Sequence, residues 1–177
     1  MNRQTVLKIT VILLRFLQLL CLMGLGLLIY DVIAFSIDPS HNFVRWEWYM
    51  NETLTIAQGD EEYPLQSKLS YYFNWLQITL QLWLMLLIWQ NLIRVVGSVA
   101  SFKTFIKDNA ASFFKIRNLV FFLWILDTFH LFQELGAAIQ MTWGFNLEIL
   151  LFALAAHVLA LIFKEGKRLA DEQNLIV

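Results

Sequence analysis

Asp127, His130 and Glu134 follow one another at i, i+3 and i+7 in an otherwise apolar stretch, a spacing that sets all three on one face of a helix. His157 lies in a second apolar stretch among Ala153, Ala156 and Ala160, small residues that let helices approach closely and turn the imidazole inward. Counting along two antiparallel helices brings His157 to the depth of Asp127 and Glu148 to that of Glu134. The expectation is that Asp127, His130 and His157 face the interior, with Asp127 and His157 within one water of each other. Two imidazoles and two carboxylates could hold a metal, pass a proton or ion, or form a structural hydrogen-bonded network. Ionisable groups inside a membrane are costly, so each raises a functional hypothesis. Asp-x-x-His-x-x-x-Glu is a weak ligand pattern beside sites whose ligands converge at fixed distances. A structural network is therefore expected, with no bound metal and no cofactor.

Covalent catalysis has less support still. Cys21 sits in an apolar run with no base near it in sequence. The chain has no Gly-x-Ser-x-Gly elbow, and neither a Gly-rich phosphate loop nor a paired-cysteine motif. The expectation is a protein that is not an enzyme and has no catalytic residues.

The elements that must position these residues follow from composition. Of 177 residues, 59% are hydrophobic and only 15% charged, with a net charge of −1. Mean hydropathy is +0.60. Soluble domains carry ~25% charged residues, so a water-soluble globule is excluded, and nothing in the charge balance calls for direct contact with nucleic acid. A bilayer core of ~30 Å needs about 20 mostly apolar residues in helix. Four stretches qualify, at about 9–33, 72–93, 116–138 and 147–163. Each is expected to be helical, because hydrocarbon offers no partner to free backbone groups. The first stretch exceeds the apolar region of a signal peptide and reads as an uncleaved anchor. Arg15 lies two turns inside it and can snorkel. Asn74, Gln77 and Gln81 form a softer stripe in the second, expected to hydrogen-bond across helices.

Eleven of the thirteen Lys and Arg residues fall before the first stretch's core, between the second and third, or after the fourth. Only Arg45 and Lys68 fall in the first connection, 36–70. The positive-inside rule then places both termini and the second connection in the cytoplasm. The fold expected is all-α: a single four-helix transmembrane bundle in the cell membrane, with an extracytoplasmic loop at 36–70.

That loop is acidic and aromatic. Phe43, Trp46, Trp48 and Tyr49 cluster, as do Tyr63, Tyr71, Tyr72 and Trp75, as in an interfacial aromatic belt. The alternation through Phe43–Tyr49 would also suit a strand of a small outer cap. His41 with Asp60, Glu61 and Glu62 could bind a cation, although a solvated acidic loop accounts for them. The second connection, 97–115, spaces Val99, Phe102, Phe105, Ile106 and Phe113 as an interfacial amphipathic helix would. The tail, 164–177, is basic at its start and ends on Leu175-Ile176-Val177. Lys164, Lys167 and Arg168 are expected to hold it against the inner membrane surface near Phe102, Phe105 and Lys107. Leu169 and Leu175 would then present an apolar edge.

The run from Ile162 to Val177, Phe-Lys-Glu-Gly-Lys-Arg-Leu-Ala-Asp-Glu-Gln-Asn-Leu at its centre, resembles the closing motif of a family of small bacterial membrane proteins. The family is catalogued as domain of unknown function 2975. Phe102-Lys103-Thr104-Phe105, Asn109 and Ile116-Arg117 are similar to its stretch before the third span. Gln173-Asn174 and Ile176 depart from the family pattern, which has an acidic-leaning pair and Thr there. The resemblance implies four spans with cytoplasmic ends and a gene often encoded beside a small helix-turn-helix regulator; it implies no activity.

The function expected is a non-enzymatic sensor or scaffold. It would meet the bilayer and a cytoplasmic partner through Phe102, Phe105, Lys107, Lys164, Lys167, Arg168 and Leu175. A small transporter or ion-conducting subunit built on Asp127, His130, Glu134 and His157 is the alternative, one that a homo-oligomer would favour.

Overall fold

Long apolar runs with few backbone breakers form helices, and four do so here. The computed structural model describes residues 3–38, 68–100, 107–132 and 140–174. Helix α1 spans Arg3–Ile37, α2 Lys68–Ala100, α3 Lys107–Thr128 and α4 Leu147–Asn174. Strands β1 (Phe129–Phe132) and β2 (Gln140–Trp143) pair antiparallel between α3 and α4, with Phe129 opposite Trp143 and His130 opposite Thr142. The helices contain 35, 33, 22 and 28 residues, which at 1.5 Å per residue gives about 52, 50, 33 and 42 Å. All four are long and apolar enough to cross a membrane.

Packing is sequential. Among the described residues α1 packs on α2, α2 on α3 and α3 on α4, each pair antiparallel, and β1 lies against α2 and α3. Helix α1 therefore sits at the edge of the assembly. Its start and the end of α4 share one end of the molecule, the proximal end; the strand pair and the start of α2 share the other, the distal end.

Two cores result. Ile88 and Val95 of α2, Phe113, Ile116 and Val120 of α3, and Ala153, Ala156 and Ala160 of α4 form the larger. The three alanines let α3 and α4 close up as their size predicts, and Phe113 stacks on Phe163 with centroids 5.0 Å apart. Leu28 and Phe35 of α1 with Tyr71 of α2 form the smaller core, flanked by Trp75 and Leu82. Outside these seams the helices turn large apolar side chains outward, among them Ile12, Phe16 and Met23 on α1 and Leu154 and Ile162 on α4. A soluble monomer does not leave apolar surface on this scale uncovered.

Three expectations need correction. The third apolar stretch is not helical through residue 138: α3 stops at Thr128 and β1 begins. An apolar run alone does not separate helix from strand. Here aromatic and β-branched residues at 129–132 and 140–143 favour extended pairing, and the Gly144 N–H closes the open end of the strand pair by donating to Thr128 O at 3.0 Å. The described residues thus form four helices and one antiparallel strand pair. Of the second connection, 97–115, the described parts belong to the long helices, 97–100 completing α2 and 107–115 beginning α3; residues 101–106, with Phe102, Phe105 and Ile106 of the expected interfacial helix, lie outside the described residues. Phe113 packs in the core instead of dipping into an interface. Finally, the tail is not a separate piece: residues 164–174 continue α4 without a break.

Candidate functional site: polar contacts between the helices

The most deeply enclosed carboxylate among the described residues is one that interrupts the first apolar run. Asp31 of α1 is 1% exposed, and the Tyr71 hydroxyl of α2, itself wholly buried, donates to Asp31 Oδ2 at 2.5 Å. Phe35, one turn along α1, stacks on the Tyr71 ring with centroids 3.6 Å apart. The Tyr72 ring meets Phe35 edge-on, and the Trp75 indole N–H donates to Leu28 O at 2.8 Å. Tyr71 and Trp75 are four apart on α2, as Leu28, Asp31 and Phe35 are three and four apart on α1, so two facing stripes close on each other. The arrangement joins two helices through a carboxyl–phenol bond behind stacked rings.

On the next face of α2, Gln77 crosses to α3. Its Nε2 donates to Leu126 O at 2.6 Å and to Phe129 O at 2.8 Å. Those carbonyls belong to the turn where α3 gives way to β1, and the last carbonyls of a helix lack intrahelical partners. Gln77 supplies them. The amide stripe thus bonds across helices at Gln77, as its composition predicts. Asn74, 3% exposed, and Gln77 keep their side-chain oxygens without hydrogen-bond partners among the described residues.

The Asp/His/Glu constellation is dispersed. Asp127 Oδ2 accepts from Asn146 Nδ2 at 3.3 Å. Asn146 Oδ1 in turn accepts from the backbone N–H groups of Glu148 and Ile149 at 3.2 and 3.5 Å, capping α4. Glu148 then lies in the first turn, where a helix favours negative charge. His157 meets Arg117 instead of Asp127: the guanidinium Nη1 lies 3.1 Å from His157 Nδ1. Since Arg only donates, His157 accepts through Nδ1 and carries its proton on Nε2. Phe114 lies under the guanidinium at 5.2 Å. Asn146 and His157 are eleven residues apart on α4, roughly 16 Å along its axis, so Asp127 and His157 are not a pair.

His130 falls on β1, with its ring over Gly144, because the helix that would have aligned it with Asp127 has already ended. Glu134 lies outside the described residues, as do Phe102, Phe105, Leu175, the side chain of Lys107, and the 39–67 segment with His41 and its acidic neighbours. Among the described residues no group of three His, Cys, Asp or Glu side chains is placed to hold a metal.

In the tail, Arg168 pairs with Glu165 at 2.5 Å and Glu172 at 3.7 Å, and Lys167 with Asp171 at 3.8 Å. Two of the three cations expected on lipid headgroups are thus engaged along their own helix. At the proximal turn Ser98 Oγ bonds Asn109 Oδ1 at 2.7 Å, tying the end of α2 to the start of α3.

Sequence reasoning passed over Asp31 and Arg117. The first looked like an interruption of a span, the second like one more loop cation. No local signal marked Arg117, whose partner His157 lies forty residues on in another helix. Compared with known proteins, the chain matches no family model, no curated protein and no solved structure.

Proposed function

We propose that the protein is a non-enzymatic, multi-pass protein of the cell membrane that presents the end of α4 to a cytoplasmic partner. One observation carries the reading. Helix α4, about 42 Å long, outreaches a hydrocarbon core of ~30 Å by about three residues in four of its final eleven. The overhang, 164–174, is held straight by ion pairs at i,i+3 and i,i+4 and leaves Leu169 half exposed among charges. A rigid helical post with an apolar spot is a familiar docking geometry. The asymmetric distribution of Lys and Arg supports cytoplasmic termini. The tail motif's likeness to the family named above supports membership in it, and makes a small helix-turn-helix regulator the first partner to test.

Deleting Asp171–Val177 removes one helical turn and two exposed ion pairs, each contributing under about 1 kcal/mol. The truncated chain is expected to insert and to unfold with the parent, while a co-expressed regulator that co-purifies with the full chain is lost. Equal capture by both chains overturns the docking role of α4. Orientation is tested separately: Ser67→Cys in a Cys21→Ala background should react with an impermeant maleimide in intact cells. Labelling only after lysis reverses the topology.

A further inference from the structure

Between α1 and α2, in the proximal half, runs an open groove of about 510 Å³ lined by Arg15, Gln18, Leu19 and Leu22 of α1 and by Gln90 and Ile93 of α2. Its chemistry is unlike the rest of α1. Arg15 is exposed, yet its exposed neighbours are Ile12, Leu13, Phe16 and Leu19. No carboxylate among the described residues pairs with it. Gln18 and Gln90 add amide donors to the same groove, Arg94 stands one turn past Gln90 on α2, and Lys8 two turns before Arg15 on α1, both exposed. A guanidinium two turns within an apolar span is costly without a counter-charge. This groove provides donors and positive charge and no anion.

We propose, on the membrane reading above, that the groove binds the headgroup of an anionic phospholipid. The phosphodiester is drawn down between α1 and α2 to accept from Arg15, Gln18 and Gln90, and the acyl chains lie along Leu19, Leu22 and Ile93. Basic pockets between membrane helices on the cytoplasmic side bind anionic headgroups by this combination, and a guanidinium suits phosphate because its forked donors match two oxygens. Selectivity comes from charge: a zwitterionic headgroup brings its own cation into a site that already holds one.

The test is native mass spectrometry of the full chain, purified in neutral detergent with equimolar palmitoyl-oleoyl phosphatidylglycerol and phosphatidylcholine. The expected result is preferential retention of phosphatidylglycerol, falling about five-fold in Arg15→Gln and largely restored in Arg15→Lys. Lys115→Gln, which removes an exposed cation of α3, should leave retention unchanged. Leu22→Trp narrows the groove, keeps every charge, and should lower retention as Arg15→Gln does; it stands in if Arg15→Gln loses its helical circular dichroism. Millimolar inorganic phosphate should not displace the lipid. Retention unaltered by Arg15→Gln and Leu22→Trp, an equal loss in Lys115→Gln, or displacement by phosphate overturns the site. Alkaline carbonate extraction separates the two readings: a chain released from membranes defeats the membrane assignment, whereas a chain that stays embedded and takes both lipids equally defeats only the groove.

Discussion

Tyr71→Ala is expected to destabilise the fold by about 3 kcal/mol, with Tyr71→Phe costing about half of that. The ring of Tyr71 is wholly buried against Phe35, and truncation opens a cavity in the α1–α2 seam. Large-to-small changes of this kind cost about 3–5 kcal/mol in soluble cores. Here the lower end applies, since lipid replaces water as the reference surroundings of an apolar side chain. Tyr71→Phe keeps the ring and deletes only the donor to Asp31, a bond to a carboxyl group for which roughly 1.5 kcal/mol is appropriate. Because α1 packs on α2 and on no other helix to a comparable degree, the loss should fall on α1 specifically. Unfolding in mixed micelles titrated with dodecyl sulfate measures the size of the effect. In a Cys21→Ala background, a Gly24→Cys, Leu82→Cys pair joined by a short bifunctional maleimide reports detachment by losing its cross-link, since a Cβ at Gly24 would lie 3.3 Å from Leu82 Cδ1. If Tyr71→Ala unfolds with the parent, the stacked cluster is not what holds α1.

Gln77→Leu should cost about 2 kcal/mol, and its local consequence is more informative than its size. Leucine fills similar space but withdraws two donors, leaving Leu126 O and Phe129 O without the side-chain bonds they now accept. Groups buried in that condition cost about 1–3 kcal/mol apiece before relaxation. The distal strand pair depends on those carbonyls being occupied, so amide hydrogen exchange in 129–132 and 140–143 should accelerate while the centre of α3, around Val120, keeps its protection. Gln77→Glu is the companion variant: it preserves shape and reverses the group from donor to acceptor, and should be at least as disruptive. Unchanged exchange at the strand pair in both variants would show that Gln77 does not hold the end of α3.

How far the sequence specified this arrangement depends on the range of the interaction concerned. The helical stretches 72–93 and 147–163 are local properties, set by runs of apolar residues, and both lie inside the observed helices. Even the Ala153, Ala156 and Ala160 seam was legible, because small residues at helical spacing have one use between packed helices. The end of α3 was not. Phe129 and His130 are as apolar or as tolerable in a helix as their predecessors, and what stops the helix is a glutamine fifty residues earlier together with a partner strand that follows. Pairing of ionisable groups failed for a related reason. Depth was counted from the centres of presumed spans, and once α3 ended at Thr128 the count for Asp127 moved toward the distal end, handing His157 to Arg117. Asp31 was visible all along but is recognisable as a partner only when α2 is laid against α1 in register with Tyr71.

The sequential packing of the helices also governs how the molecule is made. Among the described residues every sizeable helix–helix contact links neighbours in the chain, which is the arrangement of lowest contact order and shortest loop-closure search available to four helices. A ribosome delivers about 5–20 residues each second, so each helix waits only for the next one to emerge before it has its partner. Among the described residues no sizeable contact depends on the C-terminal helix returning to cover the first. Assembly is a zipper that advances with translation, and a chain halted after α2 already owns the complete Asp31–Tyr71 joint.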